Sequence, residues 1–300
     1  MTMPNFMILG AAKAGTTALY AYLAQHPQIY MSRIKEPNFF AYGDAPPPAL
    51  QGPGADVIRR NAILSRAAYE QLYQGATTQR AIGEASISNL WARACERIKA
   101  HVPDAKLIAI LRQPAERAYS NFLYNRALGF EPLGDFAAAL ADEPRRREQQ
   151  WSPVFCYRAM SHYAENLERY FAYFPRAQIR VYLYDDFVAQ PQQLLGDLFR
   201  FLAVDEQFVP DTTARYNVTQ LPRSQWLANV LRQPHPLKAW SKMLVPPALR
   251  RRLVHWTRQN NRQKPPPLAP ALRHQLTQSL QPDIARLQRL LGRDLSHWLR

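Results

Sequence analysis

Residues 6–27 read FMILGAAKAGTTALYAYLAQHP. The run opens as a short apolar strand, breaks at Gly10 and Gly15, and enters a segment with Leu19, Tyr22 and Leu23 at helical spacing. The helix is expected over about 16–25. A strand, a glycine loop and a helix N-terminus together aim backbone N–H groups and a helix dipole at one spot, which suits an anion. Gly10 and Gly15 serving only as turn residues is the competing reading of the stretch alone. The nucleotide-hydrolase loop places lysine directly after its second glycine. Here Thr16 occupies that position, and Lys13 stands inside the loop.

The same alternation continues down the chain. RAIGEAS (80–86) reads as a strand leading to a helix over about 89–101. AKLIAILR (105–112) is a buried strand, and Pro114 suits the first turn of the helix after it. Residues 129–153 read as a loop-rich insertion with a charged patch at 145–148. A helix over 161–174, a strand over 179–184 and a helix over 191–202 complete the pattern. This order predicts an α/β fold: P-loop-like, three-layer α/β/α, with a central parallel sheet and a helical C-terminal region. The chain is expected to form one domain over 1–300, with an α/β nucleotide-binding core over 1–220 and a basic helical extension over 221–300.

The chain has 300 residues, 47% of them hydrophobic, enough for one large core. No apolar run reaches the roughly 18–20 residues that span a membrane, and no charged-then-apolar leader is visible. A cytoplasmic protein is expected. Two cysteines, Cys95 and Cys156, are too few for a disulfide framework and suit packing. The formal net charge is +15, and no Asp or Glu occurs between Asp211 and Asp283. That stretch carries about a dozen Lys and Arg, a field that attracts polyanions or an anionic surface, or else merely a solvated face.

A metal-dependent nucleotide hydrolase or kinase holds Mg²⁺ with a loop Ser/Thr and an Asp ending a second strand. The strand over 105–112 ends instead in Arg112, whose planar fork grips phosphate. Asp185 and Asp186 come after a later strand and keep the metal reading open. A nucleotide with two separated phosphates fits better: one in the loop with Lys13, Gly15, Thr16 and Thr17, the other at Arg112. Ser120 lies eight residues beyond Arg112 and reaches the same anion only if the chain curls back.

These pieces resemble the sulfotransferases that use 3′-phosphoadenosine 5′-phosphosulfate, in their carbohydrate branch, which includes heparan sulfate enzymes and bacterial members. The matching segments are residues 6–29, KEPNFF (35–40), GEAS (83–86), LIAILRQPAERAYSNF (107–122) and YNVTQLPRS (216–224). The resemblance implies that Lys13, Ala14, Gly15, Thr16 and Thr17 hold the 5′-phosphosulfate, with Lys13 on the bridging oxygen. That would explain a lysine placed to serve a leaving group without a bound metal. It implies Arg112 and Ser120 as 3′-phosphate contacts, and Arg223 and Ser224 as part of a loop closing over the nucleotide. It makes Glu36 the base that takes the acceptor's proton. Neighbouring Lys35 and Arg33 would favour its ionised form, though simple surface pairing with them is the alternative.

His26 caps the first helix or serves as a backup base. Glu84 binds acceptor, orients Lys13, or is structural. Several heparan enzymes carry lysine after that glutamate, where this chain has Ala85. The implied reaction is sulfuryl transfer to a hydroxyl, or an amine, of an acceptor that is a glycan, a glycolipid or another small molecule. Residues 221–264 could touch an anionic membrane, and no nucleic-acid partner is expected. The rival readings are the metal-dependent kinase or NTPase, and a non-catalytic polyanion- or membrane-binding protein using the basic stretch with Trp226, Trp240 and Trp256.

Overall fold

The structure is a computed structural model, which describes residues 2–43, 50–91, 94–214, 221–224 and 261–300. Its centre is set by two runs. Phe6–Gly10 forms β1 and Lys106–Leu111 forms β4. Phe6 to Leu9 and Leu107 to Leu111 have no exposed surface. Successive strand side chains point to opposite faces, so such runs require cover on both faces of the sheet. All-parallel pairing delivers that cover, because each crossover lays a helix on a face.

Between those strands the chain forms α1 (Thr16–Leu23), β2 (Ile29–Met31), α2 (Phe39–Tyr42), α3 (Ala55–Asn61), α4 (Arg66–Gln71), β3 (Ala81–Ala85) and α5 (Ala94–His101). After β4 come α6 (Pro114–Ala127), α7 (Phe136–Ala141), α8 (Glu143–Glu148), α9 (Tyr163–Tyr173), β5 (Ile179–Leu183), α10 (Tyr184–Ala189) and α11 (Pro191–Leu202). A two-residue ribbon pairs β6 (Leu221–Pro222) with β7 (Arg262–Gln263), and α12 covers Pro270–Leu291.

The five strands of the main sheet lie in the order β2-β3-β1-β4-β5, with every pair parallel. The chain leaves β1 toward one edge, returns, and then builds toward the other. The carboxyl end of β1 is therefore a topological switch point, where open α/β sheets leave a crevice. The loop over 11–15 sits there.

The expected α/β fold and its parallel sheet are those observed, with differences in detail. The edge strand β2 escapes a sequence reading because it is three residues long. The helix expected from 89 is a 3₁₀ turn at Ile87–Asn89 and then α5. The segment over 129–153 holds two short helices rather than a loop. Its charged patch is partly internal, because Arg146 is fully buried and bonds both oxygens of buried Glu131 at 2.8 Å.

The helix α12 joins the main core through Leu276, Leu280, Ile284 and Leu287. It also braces the helix behind β4. Gln113 accepts from Glu116 N at 2.8 Å, capping α6, while its amide donates to Thr277 Oγ1 and Trp298 O, both at 3.0 Å. The tryptophans 226, 240 and 256 and most of the basic stretch lie outside the described residues.

Candidate active site

A cleft of about 1360 Å³ opens at the carboxyl ends of the strands. Lys13, Gly15, Thr16, Thr17, Glu36, Arg112 and Ser120 all line it. The curl needed to bring Ser120 near Arg112 is supplied by α6 itself, which starts two residues after Arg112 and carries Ser120 in its second turn.

The loop is shaped by backbone conformation. Gly15 is the N-cap of α1 at φ 95°, and a Cβ there would meet ring atoms of Phe187 and Tyr184 at 3.2 Å. Glycine is thus required twice, by angle and by space. It also brings no capping side chain to the N-terminus of α1, which lines the cleft through Thr16 and Thr17. Lys13 sits at φ 65°, in the left-handed region that costs a non-glycine residue about 1–2 kcal/mol. Ala14 differs from its expected role: its side chain is wholly in the core and its N–H donates to Ala11 O at 3.2 Å, so it turns the loop rather than facing the cleft.

The Lys13 ammonium lies 4.0 Å from the centroid of the Tyr124 ring. Burial, with help from Arg112 and Lys35, lowers its pKa from 10.5 to about 8, against a raising influence of Glu36. An arriving anion would relieve both causes. The Arg112 guanidinium stands 5.1 Å from the Tyr184 ring, donates to Lys13 O at 3.4 Å and faces Glu116 at 3.7 Å.

Glu36 also has a left-handed backbone, at φ 63°. Its conformation is held from both sides. Its N–H donates to Ala85 O at 2.9 Å, and Asn38 Nδ2 donates to its carbonyl at 2.7 Å. Asn38 N in turn donates to Ser86 Oγ at 3.2 Å, and Ser88 Oγ donates to Asn38 Oδ1. The carboxylate meets Lys35 Nζ at 2.5 Å.

Glu84 and His26 fall outside the cleft lining. Glu84 is fully buried beneath the Glu36 turn, where Ser86 Oγ and Asn89 Nδ2 donate to its two oxygens at 3.0 and 2.7 Å. Burial pushes its pKa up from 4.5 to about 7 despite those bonds. It supports the turn and has no open path to an acceptor. His26 is also buried, between Phe199 and Phe208, with ring centroids at 4.7 Å from each. Its Nδ1 accepts from Gln28 N at 3.0 Å, so its Nε2, 2.9 Å from Asp205 O, donates there. Both nitrogens are committed to structure, which removes it as a base.

Arg223 and Ser224 bond Asn261 through their backbone N–H groups, at 3.0 and 2.7 Å, beside the β6–β7 ribbon. The adjoining β6 packs against α6, and neither Arg223 nor Ser224 lines the cleft. Asp185 and Asp186, on which a metal-dependent reading would rest, are engaged otherwise. Asp186 is held by both terminal nitrogens of Arg293 at 2.6 and 2.8 Å, and Trp298 Nε1 donates to Asp185 at 3.2 Å. Sequence reasoning passed over Tyr124 and Asn38. Tyr124 had a usable signal, since it stands one helical turn after Ser120.

An α/β fold with a loop lysine, an arginine directly after β4 and a carboxylate in the same cleft suits an anion-handling transferase. The sequence model of the sulfotransferase family matches residues 4–208, and the chain belongs to that family. A crystal structure of a sulfotransferase from Alicyclobacillus acidocaldarius is 32% identical, covers all of both chains and superposes with a TM-score of 0.78. Carbohydrate sulfotransferase 15 of Mus musculus is 32% identical over 41% of this chain and 27% of that protein. The chain thus spans about a quarter of that relative. Heparan sulfate glucosamine 3-O-sulfotransferase 6 of Homo sapiens is 27% identical over 86% of this chain and 70% of that protein. Among the described residues no helix is long and apolar enough to cross a membrane.

Proposed function

We propose that the chain transfers a sulfuryl group from 3′-phosphoadenosine 5′-phosphosulfate to a hydroxyl of a carbohydrate-bearing acceptor. The observation that carries this reading is the convergence of Lys13, Thr16, Arg112, Ser120 and Glu36 on one cleft. The donor set suits the nucleotide: the α1 N-terminus and an ammonium for the 5′ end, a guanidinium and a hydroxyl for the 3′-phosphate. Arg223 and Ser224 are proposed to contact the nucleotide.

When bound, the donor supplies sulfur bonded to a bridging oxygen. Glu36 takes the proton of the acceptor hydroxyl. The acceptor oxygen then bonds sulfur while the bond to the bridging oxygen breaks, and the electron pair leaves with adenosine 3′,5′-bisphosphate. Lys13 and the amides of the α1 N-terminus stabilise the charge gathering on that oxygen. Lys35, 2.5 Å from Glu36 Oε1, holds the carboxylate in position.

The whole chain is taken to work as one domain, in which α12 braces the nucleotide-binding core. A cytoplasmic site of action, with 221–264 as a peripheral contact to an anionic membrane, accompanies the proposal. The test is thermal unfolding in chelator with adenosine 3′,5′-bisphosphate, using ADP and 5′-AMP as controls. Ligand at a hundredfold excess over Kd stabilises by about 2.7 kcal/mol. A shift specific to the bisphosphate is expected. A response only to Mg²⁺ with ATP would return the loop to kinase chemistry.

A further inference from the structure

One part of the cleft lining, contributed by other segments than Lys13 and Arg112, has a composition of its own. Ile34, Val57, Ile58, Ile63, Leu128 and Phe130 line it, all exposed or half-buried. Ile34 and Val57 are 45% and 36% exposed, and with Tyr124 and Val188 they place most of the large exposed apolar side chains of the described residues in this one cleft. Scattered apolar residues on a surface need no explanation, but a contiguous set inside a cleft does.

The polar groups nearby do not offset it. Asn121 and Asn125, further lining residues, both donate to Val154 O, at 2.6 and 3.0 Å, and so hold the wall together. The cations lining the cleft among the described residues are Lys13, Lys35, Arg60 and Arg112. The proposed donor takes Lys13 and Arg112, and Lys35 is paired with Glu36. Arg60, exposed at the rim, remains for the acceptor. Among the described residues, then, the lining left to the acceptor is more apolar than a polymer with a negative charge on every repeat calls for.

We infer, resting on the transfer reaction above, that the acceptor is an amphiphile: an uncharged hydroxyl-bearing head presented to Glu36, and an alkyl chain lying along Val57, Ile58, Ile63 and Phe130. The wall is continuous with the cleft that holds Glu36, so head and chain are bound by adjoining parts of one surface. The bond changes are those of the transfer already described, with the head's hydroxyl as nucleophile.

The test is calorimetric titration of the full chain, saturated with adenosine 3′,5′-bisphosphate, with methyl, butyl, hexyl and octyl β-glucosides below their micelle range. A glucuronate-containing oligosaccharide serves as the anionic comparison. Affinity should rise about two- to fourfold per added methylene, as burial of each group predicts. In Val57→Asp the chain-length dependence should collapse by tenfold or more at octyl, and Ile58→Ala should weaken it less. The bisphosphate thermal shift reports that each variant is folded. Affinity that is flat with chain length, or unchanged in Val57→Asp, overturns the inference, as does tighter binding of the anionic oligosaccharide. Absence of any bisphosphate shift in the wild type instead sinks the donor reading, and this inference with it.

Discussion

Replacing Lys13 with methionine should raise stability and destroy turnover at once. The lysine is held at a pKa of about 8 against 10.5 in an unfolded chain, chiefly by burial and by Arg112 and Lys35. A depression of that size corresponds to about 3 kcal/mol of unfavourable charge in the apoprotein as an upper bound, and relaxation reduces it to roughly 1–3 kcal/mol. The sign is fixed by proton counting. Below pH 8 both states hold the proton and the penalty is complete. Between about 8 and 10.5 the unfolded chain binds more protons, so wild-type stability rises with pH. Methionine keeps much of the apolar stem and removes the charge. Urea unfolding of the apoprotein at pH 7 should therefore show the variant more stable, and the gap should shrink by pH 9.5. Turnover at pH 7 should fall by about 10²–10³, the usual loss when one preorganised donor to a developing anion is removed. A variant no more stable than the wild type, or one retaining near-normal turnover, would refute the reasoning.

The remaining expectations concern the same cleft. Bisphosphate affinity should weaken as pH rises above about 8, because the binding form of Lys13 is the protonated one; calorimetry at pH 7 and 9 checks it, and a flat profile contradicts the contact. Glu36→Gln should lower turnover by about 10²–10⁴ with bisphosphate affinity unchanged, and activity close to wild type would remove Glu36 as base. Arg112→Ala should weaken adenosine 3′,5′-bisphosphate at least tenfold while leaving 5′-AMP nearly unaffected; equal losses for both would deny it the 3′-phosphate. Glu84 titrates at about 7 when folded and 4.5 when unfolded, so the native state binds the extra proton and stability falls as pH rises across that window. Glu84→Gln should flatten this fall, as denaturation at pH 5 and 7.5 would reveal, and an unaltered pH slope would count against the buried carboxyl.

The parts of the fold that could be read from sequence were those written in local pattern. The apolar runs at 6–9 and 107–111 declare buried parallel strands because both faces are covered. The loop between Gly10 and Gly15 declares a tight turn into a helix N-terminus because glycine spacing and helix start are local features. Arg112 was legible for the same reason, as the residue that closes a strand. Long-range placement was not. Nothing near His26 in sequence foretells that Phe199, Asp205 and Phe208 arrive to enclose it. Glu84 and Glu36 look alike as isolated glutamates, yet one is sealed beneath the turn and the other stands in the cleft. The apolar wall is likewise assembled from the segments around 34, 55–63 and 128–130, none of which signals it alone.

The brace between α6 and α12 has a consequence for how the protein is made. Gln113, which caps the helix carrying Ser120, donates one of its bonds to Trp298, 185 residues later. Contacts so distant in sequence close late, since the entropy of the intervening loop must be lost before they form. During synthesis the strand ending in Arg112 emerges long before residues 270–298 exist to steady α6. The nascent chain can therefore build its sheet early yet lack a finished nucleotide cleft until α12 docks. Donor present in the surroundings would then favour that last docking step by mass action, binding only to chains that have completed it.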